Sequence, residues 1–165
     1  MPGRQGAVKR AILLALAALS HLSAGAADVI VPHLAGTWGS AASLHAGTAG
    51  QTELHLQPDG FGLMAGSTPA SQRIDGGAAD KPAPRAVIGF PVRATGDGDM
   101  LTLQPFLPGG GRQAAKMARI AIACVHAATE AVLTCTGPDG VATAMRRRSA
   151  TVPSEAAAQI EAARR

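Results

Sequence analysis

The histidines that follow residue 27 are the side chains best suited to metal binding or acid–base chemistry. They are His33, His45, His55 and His126. A transition-metal site needs two or three imidazoles that converge in space, and neither an H-x-H nor an H-E-x-x-H spacing is present. One hypothesis is a cluster of His33, His45 and His55 near one end of the fold. The other is separate surface histidines, with His55 facing solvent between two leucines. The spacing favours the second, so we expect neither a metal nor a cofactor.

The remaining polar residues do not form a recognisable catalytic set. The aspartates Asp59, Asp97, Asp99 and Asp139 all lie in turn sequences such as P-D-G and G-D-G-D, where turn chemistry alone favours them. A nucleophile motif of the G-x-S-x-G type is missing. The run G-G-G-R ending at Arg112 could offer backbone amides to an anion, but no G-K-[ST] follows it. The sequence therefore does not indicate an enzyme.

Cys124 and Cys135 are the only two cysteines of the chain. They flank a plausible turn at 128–131, and pairing the two flanking strands around that turn places them opposite one another on one face. An even cysteine count is typical of a disulfide in an oxidising compartment. The alternatives, a metal pair or a redox site, lack a C-x-x-C spacing. We predict a structural disulfide between them.

The N-terminal segment has the three-part pattern of a secretory signal peptide. Residues 1–10 are polar and basic, 11–22 are almost entirely apolar, and the next five are small. About 12 apolar residues are too few to cross a membrane, which needs about 20. We predict a signal peptide at 1–26, cleaved after Ala26 or Ala27, and an exported protein, periplasmic or extracellular, without a membrane span.

The net charge of the whole chain overstates how basic the exported part is. The formal charge is +4, but three basic residues belong to the leader, and the remainder carries 12 Lys and Arg against 11 Asp and Glu. One Trp, three Phe and no Tyr also exclude extensive base stacking. We therefore expect no nucleic-acid partner.

Short segments with period-two alternation, bounded by turn residues, fill most of the exported part. They lie at 34–39, 52–56, 61–65, 86–92, 100–104, 118–127, 132–136 and 141–147. Short turns join antiparallel neighbours, and eight strands can close into a barrel without exposed edges. We predict an all-β fold at 27–152, an eight-stranded antiparallel up-and-down barrel, followed at 153–165 by a weakly docked C-terminal helix or tail.

The apolar positions of these strands predict the barrel interior and the lining of any cavity in it. The predicted inward set is Leu54, Leu56, Phe61, Leu63, Ile88, Phe90, Leu101, Leu103, Ile120, Ile122, Leu133 and Met145. A loop at 66–84, rich in small and polar residues, interrupts the pattern, and we expect it to be disordered.

Gly36-Thr37-Trp38 at the first strand resembles the opening G-x-W motif of the lipocalin/calycin superfamily, and the chain is most similar to small bacterial lipocalin-like barrels. The resemblance implies an eight-stranded barrel with a trailing helix. It also implies that Trp38 packs at the closed end beneath an arginine of the last strand. Alternation selects Arg147, because it shares a face with Met145. The expected role of this pair is structural.

The expected function is that of an exported, monomeric binding module. It would hold a small apolar molecule in the barrel mouth, or contact a protein partner through its loops. Two alternatives stay open. One is a secreted inhibitor of a lysozyme or protease that uses the loop at 66–84. The other is a barrel filled by its own side chains, with no ligand.

Overall fold

The computed structural model describes residues 30–71 and 84–165. The predicted signal peptide at 1–26 lies outside this range. So do residues 72–83, which make up most of the loop expected to be disordered.

Eight strands and two helices follow one another along the described chain. The strands are β1 (Gly36–Gly39), β2 (Thr52–Leu56), β3 (Phe61–Ser67), β4 (Val87–Asp97), β5 (Met100–Pro105), β6 (Ile122–Ala127), β7 (Val132–Thr136) and β8 (Ala142–Ser149). The helices are α1 (Arg112–Met117), between β5 and β6, and α2 (Ser154–Ala163), after β8. Each strand pairs antiparallel with its neighbours in sequence, and β1 also pairs with β8. The predicted all-β, closed, up-and-down barrel with a C-terminal helix is confirmed.

The centre of the barrel is occupied by a contiguous cluster of buried side chains. Of the predicted inward residues, those in this cluster are Leu54, Leu56, Leu101, Leu103, Ile122, Leu133 and Met145. Phe90 is partly buried and packs against the cluster. The cluster also contains Trp38, Val92 and both cysteines. Cys124 and Cys135 stand opposite one another in the β6–β7 register and form the predicted disulfide.

The end of the barrel at which β1 begins, here called the closed end, is covered by residues 30–35. Ile30 and Leu34 from this segment are almost fully buried in the core. The backbone N–H of Ile30 donates to the carbonyl of Pro58 in the β2–β3 turn. Gly36 then enters β1 with a φ of 121°, and a Cβ there would collide with the carbonyl oxygen of Ser149. Only glycine fits this position, which explains the first residue of the G-x-W motif.

The predicted inward direction of Phe61 and Leu63 is wrong. In the β2–β3 register, Leu56 stands opposite Gly62, so the odd-numbered residues of β3 face outward. The outer face of β3 is apolar because α2 packs on it, burying Ala156 and Ile160. Since both faces of β3 are covered, its apolar residues do not mark the inner face alone.

Two further residues of the predicted interior lie elsewhere. Ile88 shares the inward phase of Phe90, but it stands near the start of β4 and is 70% exposed. Ile120 is only half-buried and precedes β6, which begins at Ile122 rather than at the predicted residue 118. The reason is α1, which occupies the chain up to Met117 and leaves a turn before the strand.

The C-terminal helix docks through more than the single large residue recognised in the sequence. Ile160, the only large apolar residue of the helix and the basis for expecting weak docking, is 1% exposed. The guanidinium of Arg164 also lies 4.1 Å from the centre of the Phe61 ring. It donates to the Asp59 carboxylate at 2.5 Å and to Gln57 at 2.6 Å. Arg164 therefore ties the end of α2 to the β2–β3 turn.

Candidate functional site

Trp38 and Arg147 lie where the family resemblance implies. They are opposite one another in the β1–β8 register, and the guanidinium carbon lies 6.0 Å from the centre of the indole ring. Arg147 also donates to the carbonyl of Ala35 at 2.7 Å, and the indole N–H donates to that of Leu34 at 2.9 Å. These contacts fasten the segment at 30–35 over the closed end, which is a structural role.

The proposed cluster of His33, His45 and His55 is not formed. His33 lies at the closed end, where it contacts His126. His55 and His45 both line a groove on the outside of the barrel. The expectation that His55 faces solvent is also wrong, because this residue is 8% exposed. It points away from the barrel core, as the alternation predicts, but the segment leading into α2 and the helix itself lie over that face.

The groove lies between α2 and the outer face of β2, β3 and β4 and has a volume of about 470 Å³. Its apolar lining comes from three places: the β1–β2 loop, the sheet and the helix. These residues are Leu44, Leu63, Ala65, Val87, Gly89 and Ala156, with Pro153 at the start of the helix. The part of the groove formed by β3 and β4 is therefore apolar, whereas β2 and α2 contribute mostly polar side chains. This mixed lining suits a small molecule that has both an apolar body and a polar end.

The polar lining of the groove carries negative but no fixed positive charge. Its polar side chains are His45, Glu53, His55, Glu155 and Gln159. Among the described residues that line the groove there are two carboxylates and neither a lysine nor an arginine. This charge distribution favours a neutral or cationic ligand over an anion.

Glu53 and His55 lie side by side, and each has a hydrogen-bond partner on its other side. The hydroxyl of Thr37 donates to the carbonyl of Thr151 at 3.0 Å. Its one proton is therefore used, so Nδ1–H of His55 must be the donor to the Thr37 oxygen, 3.1 Å away. Nε2 of His55 lies 3.2 Å from Oε1 of Glu53, whose Oε2 accepts from Arg148 at 2.9 Å.

The protonation of His55 decides what this pair presents to the groove. Burial lowers the pKa of His55 below its ordinary 6.5; the Glu53 carboxylate opposes this shift and the Arg148 guanidinium adds to it. The neutral imidazole has one proton, which Nδ1 carries. Nε2 and the Glu53 carboxylate are then two hydrogen-bond acceptors side by side, and a donor from a ligand would satisfy both.

A second polar cluster, His33, Asp99 and His126, lies at the closed end. Oδ1 of Asp99 is 3.0 Å from Nε2 of His33 and 3.1 Å from Nδ1 of His126. These two hydrogen bonds hold the pKa of Asp99 below its usual 3.8. The His126 ring also packs edge-on against Trp38, with ring centres 5.4 Å apart.

Sequence reasoning missed the groove and the closed-end cluster for different reasons. His126 continues the inward phase of Cys124 along β6, so its approach to Trp38 could have been inferred from alternation. His33 precedes the first strand and Asp99 lies at a turn. At neither position does a periodic pattern indicate where the side chain points. The groove depends on where α2 docks, which no local pattern encodes.

No family model, curated protein or solved structure matches this chain. The fold is consistent with a lipocalin-like barrel on its architecture alone. Within residues 30–71 and 84–165, neither helix has the length and apolar character needed to cross a membrane.

Proposed function

We propose that the protein is an exported, lipocalin-like binding module that holds a small amphipathic molecule in the groove beneath α2. The ligand would have an apolar body and a hydrogen-bond donor at one end, best a primary ammonium group. The observation that supports this most directly is the acceptor pair, Nε2 of His55 and Oε1 of Glu53, beside the apolar part of the groove that β3 and β4 form.

The groove is a more suitable place for the ligand than the barrel axis. Residues such as Leu54, Leu103 and Leu133 are fully buried against one another in the centre of the barrel. The groove is open to solvent and already shaped by two rigid elements, so a ligand could enter without displacing core side chains. This placement revises the expected site in the barrel mouth.

Export and family membership are parts of the same proposal. The predicted leader supports export, and the Cys124–Cys135 disulfide is compatible with an oxidising compartment. The G-x-W strand, the arginine over Trp38 and the helix docked outside the barrel support a lipocalin-like type. We propose a monomer because a closed barrel leaves no unpaired strand edge for a second copy.

A matched pair of amphiphiles tests the ligand class. Dodecylamine and dodecanoic acid have the same chain length and opposite head-group charges at pH 7.5. Isothermal titration calorimetry of the mature protein, below the micelle concentration of each, should show saturable 1:1 binding of dodecylammonium and much weaker binding of dodecanoate. Equal affinity for the two, or binding of neither, would contradict the proposed recognition of a donor.

A groove-filling variant tests the location. Gly89 lines the groove, and a Cβ there meets its neighbours only at ordinary distances of 3.7 Å. Gly89→Phe should therefore place its ring in the groove and abolish dodecylammonium binding. The control is Val125→Phe, at a site that is 54% exposed on β6, and it should bind as the unaltered protein does. Unchanged binding by Gly89→Phe would place the ligand elsewhere, such as the barrel mouth.

A further inference from the structure

A second site, independent of the groove, lies at the closed end of the barrel. We infer that His33, Asp99 and His126 form a binding site for a divalent transition-metal ion of the zinc or copper type. The three residues come from the segment that covers the closed end, the β4–β5 turn and the inner face of β6. Each offers one ligand atom, and these atoms all lie within 4.8 Å of one another.

The donor set is that of a transition-metal site. Two imidazole nitrogens and one carboxylate oxygen are ligands typical of zinc, copper and nickel, whereas calcium and magnesium prefer oxygen alone. With metal–ligand bonds of about 2.0–2.1 Å in tetrahedral geometry, neighbouring donors lie about 3.3 Å apart. The observed nitrogen–oxygen distances of 3.0 and 3.1 Å need to widen by only a few tenths of an ångström.

The burial of the three side chains suits an ion that enters from solvent. His126 is the fixed member, because its side chain is 9% exposed and its backbone N–H donates to the carbonyl of Asp99 at 2.8 Å. The side chains of His33 and Asp99 are 48% and 53% exposed, so they can move to complete the coordination. Solvent would supply the remaining ligand.

In the structure each imidazole contacts Oδ1 of Asp99, and a proton on the contacting nitrogen makes each contact a hydrogen bond. A divalent cation would take the place of the proton on each contacting nitrogen. The one proton of each neutral ring would then sit on its other nitrogen, and any further proton would pass to solvent. Both imidazoles would then bind as neutral ligands through the nitrogens that already point at the carboxylate. A metal bound here would tie the covering segment to two strands of the barrel.

Trp38 provides a direct readout, since it is the only tryptophan of the chain and its ring centre lies 5.4 Å from that of His126. Cu²⁺ quenches indole fluorescence at short range. Titration of the mature protein, prepared without a polyhistidine tag, should therefore show saturable quenching at one Cu²⁺ per chain. EDTA should reverse it, and Zn²⁺, which does not quench, should compete.

The variants His33→Gln and Asp99→Asn remove ligands at exposed positions, where folding should persist. Changes to residues that only orient metal ligands cost about 10–100-fold in affinity, so loss of a ligand should cost at least about tenfold. His45→Gln is the matched control, because His45 lines the groove and not this cluster. It should leave the Cu²⁺ affinity unchanged.

Two outcomes would overturn the inference. If Cu²⁺ quenches Trp38 equally in His33→Gln, Asp99→Asn and the unaltered protein, the ion binds elsewhere. If millimolar Cu²⁺ neither quenches nor produces heat on titration, the cluster is only a hydrogen-bonded clasp that holds the closed end together. Neither result bears on amphiphile binding in the groove.

Discussion

Replacing Glu53 by glutamine tests the proposed acceptor pair most directly. The substitution keeps the size and shape of the side chain, which is 15% exposed, and removes its charge. A hydrogen bond to a charged group contributes about 1.5–3 kcal/mol, and a neutral one about 0.5–1.5 kcal/mol. The difference of about 1–1.5 kcal/mol corresponds to roughly tenfold in the dissociation constant. The new amide N–H₂ can also donate to Nε2 of His55, which takes away the second acceptor.

The assay is calorimetric titration with dodecylammonium at pH 7.5, with Glu130→Gln as the control. Glu130 lies in the β6–β7 turn, and its substitution changes the net charge equally without touching the groove. We expect the dissociation constant for dodecylammonium to rise at least about tenfold in Glu53→Gln and to stay unchanged in the control. Dodecanoate should bind Glu53→Gln no less tightly, because the substitution removes a repulsive charge.

The reasoning is refuted if Glu53→Gln binds dodecylammonium as tightly as the unaltered protein while its barrel stays folded. The emission spectrum of the buried Trp38 reports on folding. Glu53→Gln is not expected to unfold the chain, because the amide oxygen of glutamine can still accept from the guanidinium of Arg148, whose side chain is 31% exposed.

Three further predictions concern stability. Reduction of the Cys124–Cys135 bond, which joins residues 11 apart, should lower the free energy of unfolding by about 3 kcal/mol, because the bond restricts the unfolded chain. Urea titrations followed by fluorescence measure this change, and a value below about 1 kcal/mol would contradict the entropy argument. Ile160→Ala should lower the free energy of unfolding by about 2–5 kcal/mol, because this side chain of α2 is almost fully buried against the barrel. The control Ala158→Ser, at an exposed position of the same helix, should stay within about 0.5 kcal/mol of the unaltered protein. Because the pKa of His55 is lowered in the folded state, the imidazole of the unfolded chain is protonated at a higher pH than that of the folded chain. The free energy of unfolding should therefore fall as the pH drops below 6.5 towards the folded-state pKa. His55→Gln should show a shallower dependence, and an unchanged slope would show that His55 does not titrate in this way.

Much of the barrel could be predicted from local signals. The turn sequence at 58–60 places a tight reversal between β2 and β3, and alternation along β6 and β7 places Cys124 opposite Cys135. These features depend on residues close together in the chain, so the turn positions and the strand register can be predicted from a single sequence. The closure of β1 on β8 required the additional assumption that eight strands leave no free edge.

The candidate sites could not be predicted because they depend on contacts between distant segments. Hydrophobicity alone predicts that Phe61 and Leu63 are core residues, yet they lie on the outer face on which α2 docks. The alternation predicts that His55 is a surface histidine, and it is buried because α2 and the segment before it cover that face. His33 and Asp99 are 66 residues apart, and only the closed end of the barrel brings them together.

The closure of the ring has a consequence for the order of folding. Seven of the eight strand pairings join neighbours in sequence, and only β1 with β8 joins segments more than 100 residues apart. Under the proposed export from the N-terminus, each hairpin can form as it emerges, and the two cysteines can oxidise within one of them. The ring itself must wait for β8, because that contact carries the largest loop-closure entropy. The stacking of Arg147 on Trp38 should therefore be among the last native contacts to form, and tryptophan emission in refolding experiments should report this final step.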